Sequence, residues 1–237
     1  MKDFLKQIDS NIKKYGYNIT FVNGGQNPPF AYTIGLVEKF GFELVIAGGF
    51  ITIEVNEKIF SRIVSGLNSG LLTNSVFEPE DGKEDSLVLL EMHSTWKESM
   101  ILGAFDYYKN DNIRAFQILP KENRSIDTPI MSYPWDNEDP IWCWLKKEWN
   151  QQIPISSYVI TNVGFLKGET ITEMMRYEEG FWEMFAGQGT DVPDEDVRIL
   201  PISTVLALDK SLIPALELST GDGLWRENKQ SEWHVWE

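Results

Sequence analysis

The sequence predicts an α+β fold of two small domains, each a mostly antiparallel sheet with packed helices. Short apolar runs separated by turn residues predict strands that follow one another along the chain. The regular alternation of strands and helices that is typical of a doubly wound parallel sheet does not occur in this sequence. A length of 237 residues suits two small domains. We place one domain at 1–150 and the other at 155–237, with the junction at 151–154.

The first half contains both helical and strand patterns. Apolar residues at helical spacing predict an amphipathic helix that begins near Phe4 and ends at Gly16. A second helix is predicted to end at Gly70, and a capping box at 95–98 predicts a third that continues to Tyr108. Strands are predicted at residues 17–22, 28–36, 43–47, 71–76, 87–92 and 114–120.

The segment PPFAYTIGL at 28–36 is followed by Glu43 at the start of an apolar strand. Farther along the chain come a strand that contains Phe116 and Gln117 and then the sequence Pro-Trp-Asp at 134–136. This pattern resembles an uncharacterised bacterial family, domain of unknown function family 4262, over about residues 1–145. The resemblance implies no activity, because none is established for that family.

The second half is organised around residues 177–209. Strands are predicted at 157–163, 181–185 and 197–202, and a helix is predicted to begin at Ser203. A short aromatic helix is predicted at 140–149, and a helix or turn is predicted to carry Met174, Met175 and Tyr177. A Gly-rich turn at 187–189 leads into an acidic loop.

The motif GFWEMFAG at 180–187, the acids after it, and the segment DKSLIP at 209–214 resemble bacterial immunity protein family 33. That family is predicted to provide immunity in polymorphic toxin systems, and the resemblance covers about residues 155–230. The family usually has Trp directly after Gly, whereas here Phe181 intervenes and Trp182 comes second. The resemblance implies a cytoplasmic protein that binds a bacterial toxin and blocks it.

The composition excludes several classes of function. A net charge of −15 repels phosphate backbones and anionic lipids, so we expect no nucleic-acid or membrane partner. The charge favours a basic partner, although it is also explained by solubility alone. The single cysteine, Cys143, allows no internal disulfide and no thiolate zinc site, and we expect neither a metal nor another cofactor. The N-terminus lacks an apolar signal segment, which predicts a cytoplasmic protein.

Acidic and aromatic residues of the second half are the candidate partner contacts. Acids can meet the Lys and Arg side chains of a toxin, and aromatic residues are common anchors in interfaces. An alternative interpretation is that these acids form a solvated loop with no binding role. A calcium site is not expected, because the ligand spacing of a calcium-binding loop is missing. The candidate residues are Trp182, Asp191, Asp194, Glu195, Asp196 and Trp225.

An alternative function places an enzyme active site or a small-molecule site in the first half, around Tyr32, Thr33, Glu43 and His93. A structural explanation competes with this function at Tyr32 and at His93. Tyr32 suits a core position on a strand, and no acid or nucleophile is evidently placed to work with His93. The resemblance of the second half, the acidic charge and the lack of a catalytic set together favour a non-enzymatic immunity-type protein that neutralises a basic toxin by binding it.

Overall fold

The computed structural model of the chain describes residues 2–23, 25–49, 52–70, 76–78, 86–122, 124–189 and 192–236. The chain divides into two compact units. The first comprises Met1–Val22, Pro29–Arg124 and Thr128–Asp136, and the second comprises Asn23–Pro28, Ser125–Asp127 and Asn137–Glu237. Both units contain helices and a mostly antiparallel sheet, so the predicted α+β class is confirmed.

In the described residues, the first unit has a six-stranded sheet of order β1-β2-β3-β6-β5-β4. The β3–β6 pair is parallel, and the other pairs described in this sheet are antiparallel. The strands are β1 (Asn18–Val22), β2 (Phe30–Ile34), β3 (Glu43–Ala47), β4 (Val76–Phe77), β5 (Leu87–Glu91) and β6 (Ala115–Pro120). The helices are α1 (Lys2–Tyr15), α2 (Val37–Phe40), α3 (Ile53–Ser69), α4 (Ser94–Met100) and α5 (Leu102–Tyr108).

Helix α3 covers one face of the first sheet. The Thr52 side chain caps it by accepting a hydrogen bond from the Val55 N–H, and Gly70 ends it in the left-handed conformation. Its buried side chains, Phe60 and Ile63, pack with Ala31, Leu44, Ile46, Leu87, Leu89 and Ile118 of the sheet. Because successive strand residues point to opposite faces, this cluster uses alternate positions of each strand.

In the described residues, the second unit has another six-stranded sheet, of order β10-β7-β9-β8-β11-β12, in which only the β7–β9 pair is parallel. Its strands are β7 (Tyr158–Asn162), β8 (Glu173–Glu178), β9 (Phe181–Phe185), β10 (Val197–Pro201), β11 (Gly223–Trp225) and β12 (His234–Val235). Helices α6 (Val163–Leu166) and α7 (Ile202–Leu208) and a 3-10 helix (Lys210–Glu217) complete it.

The segment 137–150 belongs to the second unit, although the sequence analysis assigns it to the first domain. Trp142 explains this placement, because it is fully buried and its indole N–H donates to the Asp127 carbonyl at 2.9 Å. Residues 23–28 join the same unit, since the Ser203 hydroxyl donates to the Gln26 carbonyl at 2.6 Å.

Two predicted elements differ from the structure, and a third lies mostly outside the described residues. Met174, Met175 and Tyr177 lie on strand β8, which pairs with β9, so the predicted helix or turn is wrong. The predicted aromatic helix at 140–149 contains only a 3-10 turn, Cys143–Leu145. The predicted strand at 71–76 is described only from Val76 onward, and residues 71–75 lie outside the described residues.

The predicted capping box also differs from the observed cap. Helix α4 begins two residues earlier, at Ser94, and His93 caps it by accepting from the Thr95 N–H at 3.3 Å. The Thr95 hydroxyl instead accepts from the Trp135 N–H at 2.7 Å. The predicted single helix is divided at Ile101, which leaves the helical conformation and is completely buried.

Candidate partner-binding surface

The two faces of the second sheet are buried to very different extents. On β9, Trp182 and Met184 are fully buried, whereas the intervening Phe181, Glu183 and Phe185 are only half-buried. The 3-10 helix Lys210–Glu217 lies on the buried face, where its Ala215 carbonyl accepts from the Trp182 indole. The alternation of β9 therefore separates a packed face from a face that solvent reaches.

We call the face of this sheet that solvent reaches the open face. Strand pairing aligns its residues in rows, and one row runs from Ile199 through Ile160 and Glu183 to Met175. Several of its large side chains are strongly exposed, with Ile199 at 58%, Tyr177 at 51% and Trp236 at 41%. The open face comprises Tyr158, Ile160, Glu173, Met175, Tyr177, Phe181, Glu183, Phe185, Ile199, Trp225 and Trp236.

Aromatic rings are grouped at both ends of the open face. Tyr158 stacks on Phe181 at 5.0 Å between centroids, and Tyr177 lies 5.4 Å from the same ring. At the other end, Phe185 is opposite Glu173, which is opposite Trp225. A contiguous exposed apolar surface of this kind is typical of a protein interface.

A hollow of about 480 Å³ lies within the open face, and we call it the Glu183 hollow. One carboxylate in it, Glu173, accepts from the Gly189 N–H at 3.3 Å. The other, Glu183, has no hydrogen bond or salt bridge within the described part of the chain. The hollow is lined by Glu173, Met174, Met175, Glu183, Phe185, Gln188, Gly189 and Trp236.

The acidic loop forms a 3-10 turn, Asp194–Asp196, beside this surface. Asp194 and Glu195 are exposed, and no salt bridge to the three carboxylates of the turn occurs among the described residues. Arg198 forms no salt bridge with them among the described residues, and its guanidinium donates instead to the Glu195 backbone carbonyl at 2.6 Å. The turn therefore presents negative charge to solvent. Asp191, another predicted contact, lies outside the described residues.

The Gly-rich turn connects the acidic turn with the Glu183 hollow. Asn162 holds it through two hydrogen bonds with Ala186, donating to its carbonyl at 3.0 Å and accepting from its N–H at 3.2 Å. Gln188 lines both the hollow and a second cleft of about 370 Å³, which Asp196 also lines. The aromatic face and the acidic turn are consequently parts of one surface.

The structure corrects the prediction for Trp182. The residue is completely buried, its indole N–H donates to the Ala215 carbonyl at 2.9 Å, and the Arg176 guanidinium lies 4.9 Å from the ring centroid. It cannot reach a partner from this position and instead fills the core. Trp225, by contrast, is 40% exposed on the open face and lies 4.9 Å from the His234 ring.

A buried ion pair that the sequence analysis did not identify anchors β11. Arg226 is buried and lies 3.5 Å from the Asp209 carboxylate. Its guanidinium donates to the Ile171 carbonyl and the Ser211 hydroxyl, both at 2.9 Å, and packs on the Trp233 ring. These contacts fix the strand that carries Trp225, so they position one end of the open face.

In the first unit, Thr33 and Glu43 are in contact, as parts of a buried network. The Thr33 hydroxyl donates to Glu43 Oε2 at 2.6 Å, and the Tyr108 hydroxyl donates to Oε1 at 2.5 Å. The backbone N–H groups of Gly35, Leu36 and Val37 also donate to Oε1, at 2.9, 3.0 and 3.3 Å. Burial raises the pKa of Glu43, and these hydrogen bonds oppose the increase.

Tyr32 and His93 have separate structural roles. The Tyr32 ring is buried, and its hydroxyl lies against Gly103 of α5, where a Cβ atom would be only 2.4 Å from that oxygen. His93 caps helix α4. Of the four residues of the predicted ligand site, Thr33 and Glu43 are therefore the two that the structure shows in contact. Both carboxylate oxygens of Glu43 already accept hydrogen bonds within the fold.

Comparisons with known proteins identify the first part of the chain. The family model described as Domain of unknown function (DUF4262) matches residues 11–138. The curated proteins and the solved structures gave no match. Among the described residues, no helix has the length and apolar character needed to cross a membrane. Because the family match covers more than half of the 237 residues, the chain belongs to the DUF4262 family.

Proposed function

We propose that this protein is a non-enzymatic, cytoplasmic immunity-type protein that neutralises a basic bacterial toxin by binding it. The observation that carries the proposal is the open face, an exposed aromatic sheet surface that adjoins an acidic turn. The resemblance of residues 155–230 to immunity protein family 33 supports it independently, since the open face belongs to this part of the chain.

The proposed mechanism is occlusion of the toxin's active site or substrate groove. Aromatic residues such as Trp225 and Phe185 would be the anchors, because rigid rings bury much area at a small entropic cost. Asp194 and Glu195 would form part of a charged rim. A rim of opposite charge accelerates association and orients the two proteins.

The alternative, an enzyme or a small-molecule-binding protein, has less geometric support. Its site would include Glu43, but that carboxylate is fully buried and accepts hydrogen bonds from five donors. A buried carboxyl group whose two oxygens are already hydrogen-bonded within the fold is poorly placed to accept a proton from a substrate.

We expect the protein to rescue cells from the toxin domain encoded by the neighbouring gene. That domain is expressed in a sensitive bacterial strain with and without this protein, and the two proteins are then co-purified. Restored growth together with a stable complex is the expected result. Restored growth without a complex would indicate enzymatic reversal of the damage, and no rescue would contradict immunity to that toxin.

Charge reversal of the acidic turn is expected to slow association with the toxin. Changing Asp194, Glu195 and Asp196 together to Lys removes the attraction and introduces repulsion, and we expect the association rate to fall about 10–100-fold at low salt. Surface plasmon resonance at two salt concentrations measures this rate, and the difference should shrink as salt rises.

A control variant carries the same change in net charge on exposed acids elsewhere, at Glu98, Asp111 and Glu217. Equal association rates for the two triple variants would show that only net charge matters. An unchanged rate in the acidic-turn variant, with its fold intact by circular dichroism, would remove this turn from the interface.

A further inference from the structure

We propose that the Glu183 hollow binds an arginine side chain projecting from the toxin. This inference rests on the proposed function and specifies the chemistry of the partner at one position. Three observations within the open face support it: a carboxylate with no partner among the described residues, a second carboxylate beside it, and an exposed aromatic ring in the same hollow.

The surroundings of Glu183 are mostly apolar. Ile160 and Met175 are its neighbours on the adjacent strands, and Phe181 and Phe185 flank it on the same face of β9. Strand pairing in the middle of a sheet holds it there, so it cannot move away with a flexible loop. A partner that docks on the open face would therefore cover Glu183 together with its apolar neighbours.

A partner covering the open face would remove the remaining water from Glu183. Burying an unpaired carboxylate is costly, and the cost is offset only when the partner supplies a positive charge and hydrogen bonds. No described residue of this chain provides that charge. A purely apolar partner surface is therefore disfavoured, whereas a surface with a protruding cation is selected.

The shape of the hollow favours arginine over lysine. The Trp236 ring packs over Gly223, whose missing side chain leaves room for it, since a Cβ atom there would be only 2.4 Å from the ring. A guanidinium can stack on an aromatic ring and at the same time donate two parallel hydrogen bonds to a carboxylate. An ammonium group is more strongly hydrated and lacks the planar fork.

Glu173 completes the site as a positioning group. It is opposite Phe185 and shares the hollow with Glu183, but its Oε2 already accepts from the Gly189 N–H at 3.3 Å. Its charge adds to the attraction for a cation, and its bond keeps the Gly-rich turn against the hollow. We therefore assign the direct contact with the guanidinium to Glu183.

The test measures toxin binding to the full chain with two variants, Glu183→Gln and Glu183→Arg. We expect Glu183→Gln to weaken binding by about 10–100-fold, the usual effect of losing one hydrogen-bonded charge. Glu183→Arg should abolish detectable binding, since two cations would then meet. The surface arginines of the toxin are changed to Glu one at a time. The toxin variant that lacks the contacting arginine should bind Glu183→Arg again.

The matched controls are Glu217→Gln and Glu217→Arg, which make the same charge changes on the exposed end of the 3-10 helix on the packed side of the sheet. They should bind the toxin as the unmodified chain does. Thermal unfolding of all four variants should be nearly unchanged, because Glu183 has no partner to lose within the described residues.

Two failures can be distinguished. If the unmodified chain neutralises the toxin and both Glu183 variants bind it equally well, the arginine site is wrong and the proposed function stands. If the unmodified chain neither binds nor neutralises the toxin, both proposals are overturned. Equal weakening by the Glu183 and Glu217 variants would also overturn the site, because only net charge would then matter.

Discussion

Trp182→Ala is expected to destabilise the second unit by about 3–5 kcal/mol, the usual range for removing a buried Trp. The ring is completely buried in the sheet core, and its N–H donates to the Ala215 carbonyl at 2.9 Å. The substitution leaves a cavity, deprives that carbonyl of its donor and removes the ring beneath the Arg176 guanidinium. Native-state hydrogen exchange at the Met184 amide measures the loss.

The control is Trp225→Ala, which makes the same substitution at a residue that is 40% exposed on the open face. We expect this variant to lose less than about 1 kcal/mol of stability, because little buried area disappears. When toxin binding is compared at equal folded fraction, Trp225→Ala should weaken it more than Trp182→Ala does. A small stability change for Trp182→Ala would contradict its assignment to the core.

Glu43→Ala is expected to destabilise the first unit by about 3–5 kcal/mol, because buried donors are left without an acceptor. The donors are the hydroxyls of Thr33 and Tyr108 and three backbone N–H groups at 35–37. The Gly35 N–H retains the Tyr108 hydroxyl as an acceptor at 2.7 Å, so the loss falls on the other donors. The φ of 117° at Gly35 and its close contact with Ile12 admit no other residue there without strain. Hydrogen exchange at the Val45 amide reports the change.

Glu43→Gln is the matched control, since its amide oxygen can still accept from the backbone N–H groups. We expect it to lose less stability than Glu43→Ala and to alter the pH dependence. Burial raises the pKa of Glu43 above its ordinary value of 4.5. The stabilisation from the neutral carboxyl is therefore fully present at or below pH 4.5 and is lost as pH rises through the raised value.

The Gln variant cannot titrate, so this loss of stability on raising the pH should be absent from it. Stability of the first unit is compared for the two chains between about pH 4 and pH 8, the range in which carboxyl groups of raised pKa titrate. Identical pH profiles would show that Glu43 titrates in the folded unit at its ordinary pKa, and that the five hydrogen bonds balance the effect of burial.

Local patterns predicted most of the strands because alternation and turn residues act over a few positions. The segments at 181–185 and 43–47 were predicted with the bounds that the structure shows. Strand β8 was not predicted as a strand, because two adjacent Met residues and Tyr177 show no clear period of two. Its conformation depends on pairing with β9 and β11, which a propensity argument does not include.

The candidate partner contacts differ in their exposure, which the local pattern also does not determine. The acids at 194–196 and Trp225 are accessible, as a partner contact requires, whereas Trp182 is buried. The alternation in FWEMF already separates Trp182 from Phe181 and Phe185. It does not reveal which of the two faces is covered, so alternation alone does not exclude Trp182 from the surface.

The sequence by itself determined the α+β class, the membership of the DUF4262 family and the net charge of −15. Only the tertiary structure decided which face of the second sheet remains open and that Glu183, Glu173 and Trp236 share one hollow. The physical reason is that a period of two defines two faces of a strand, but burial depends on elements distant in the chain. Here the 3-10 helix after α7 covers one face, and strands β11 and β12 extend the other.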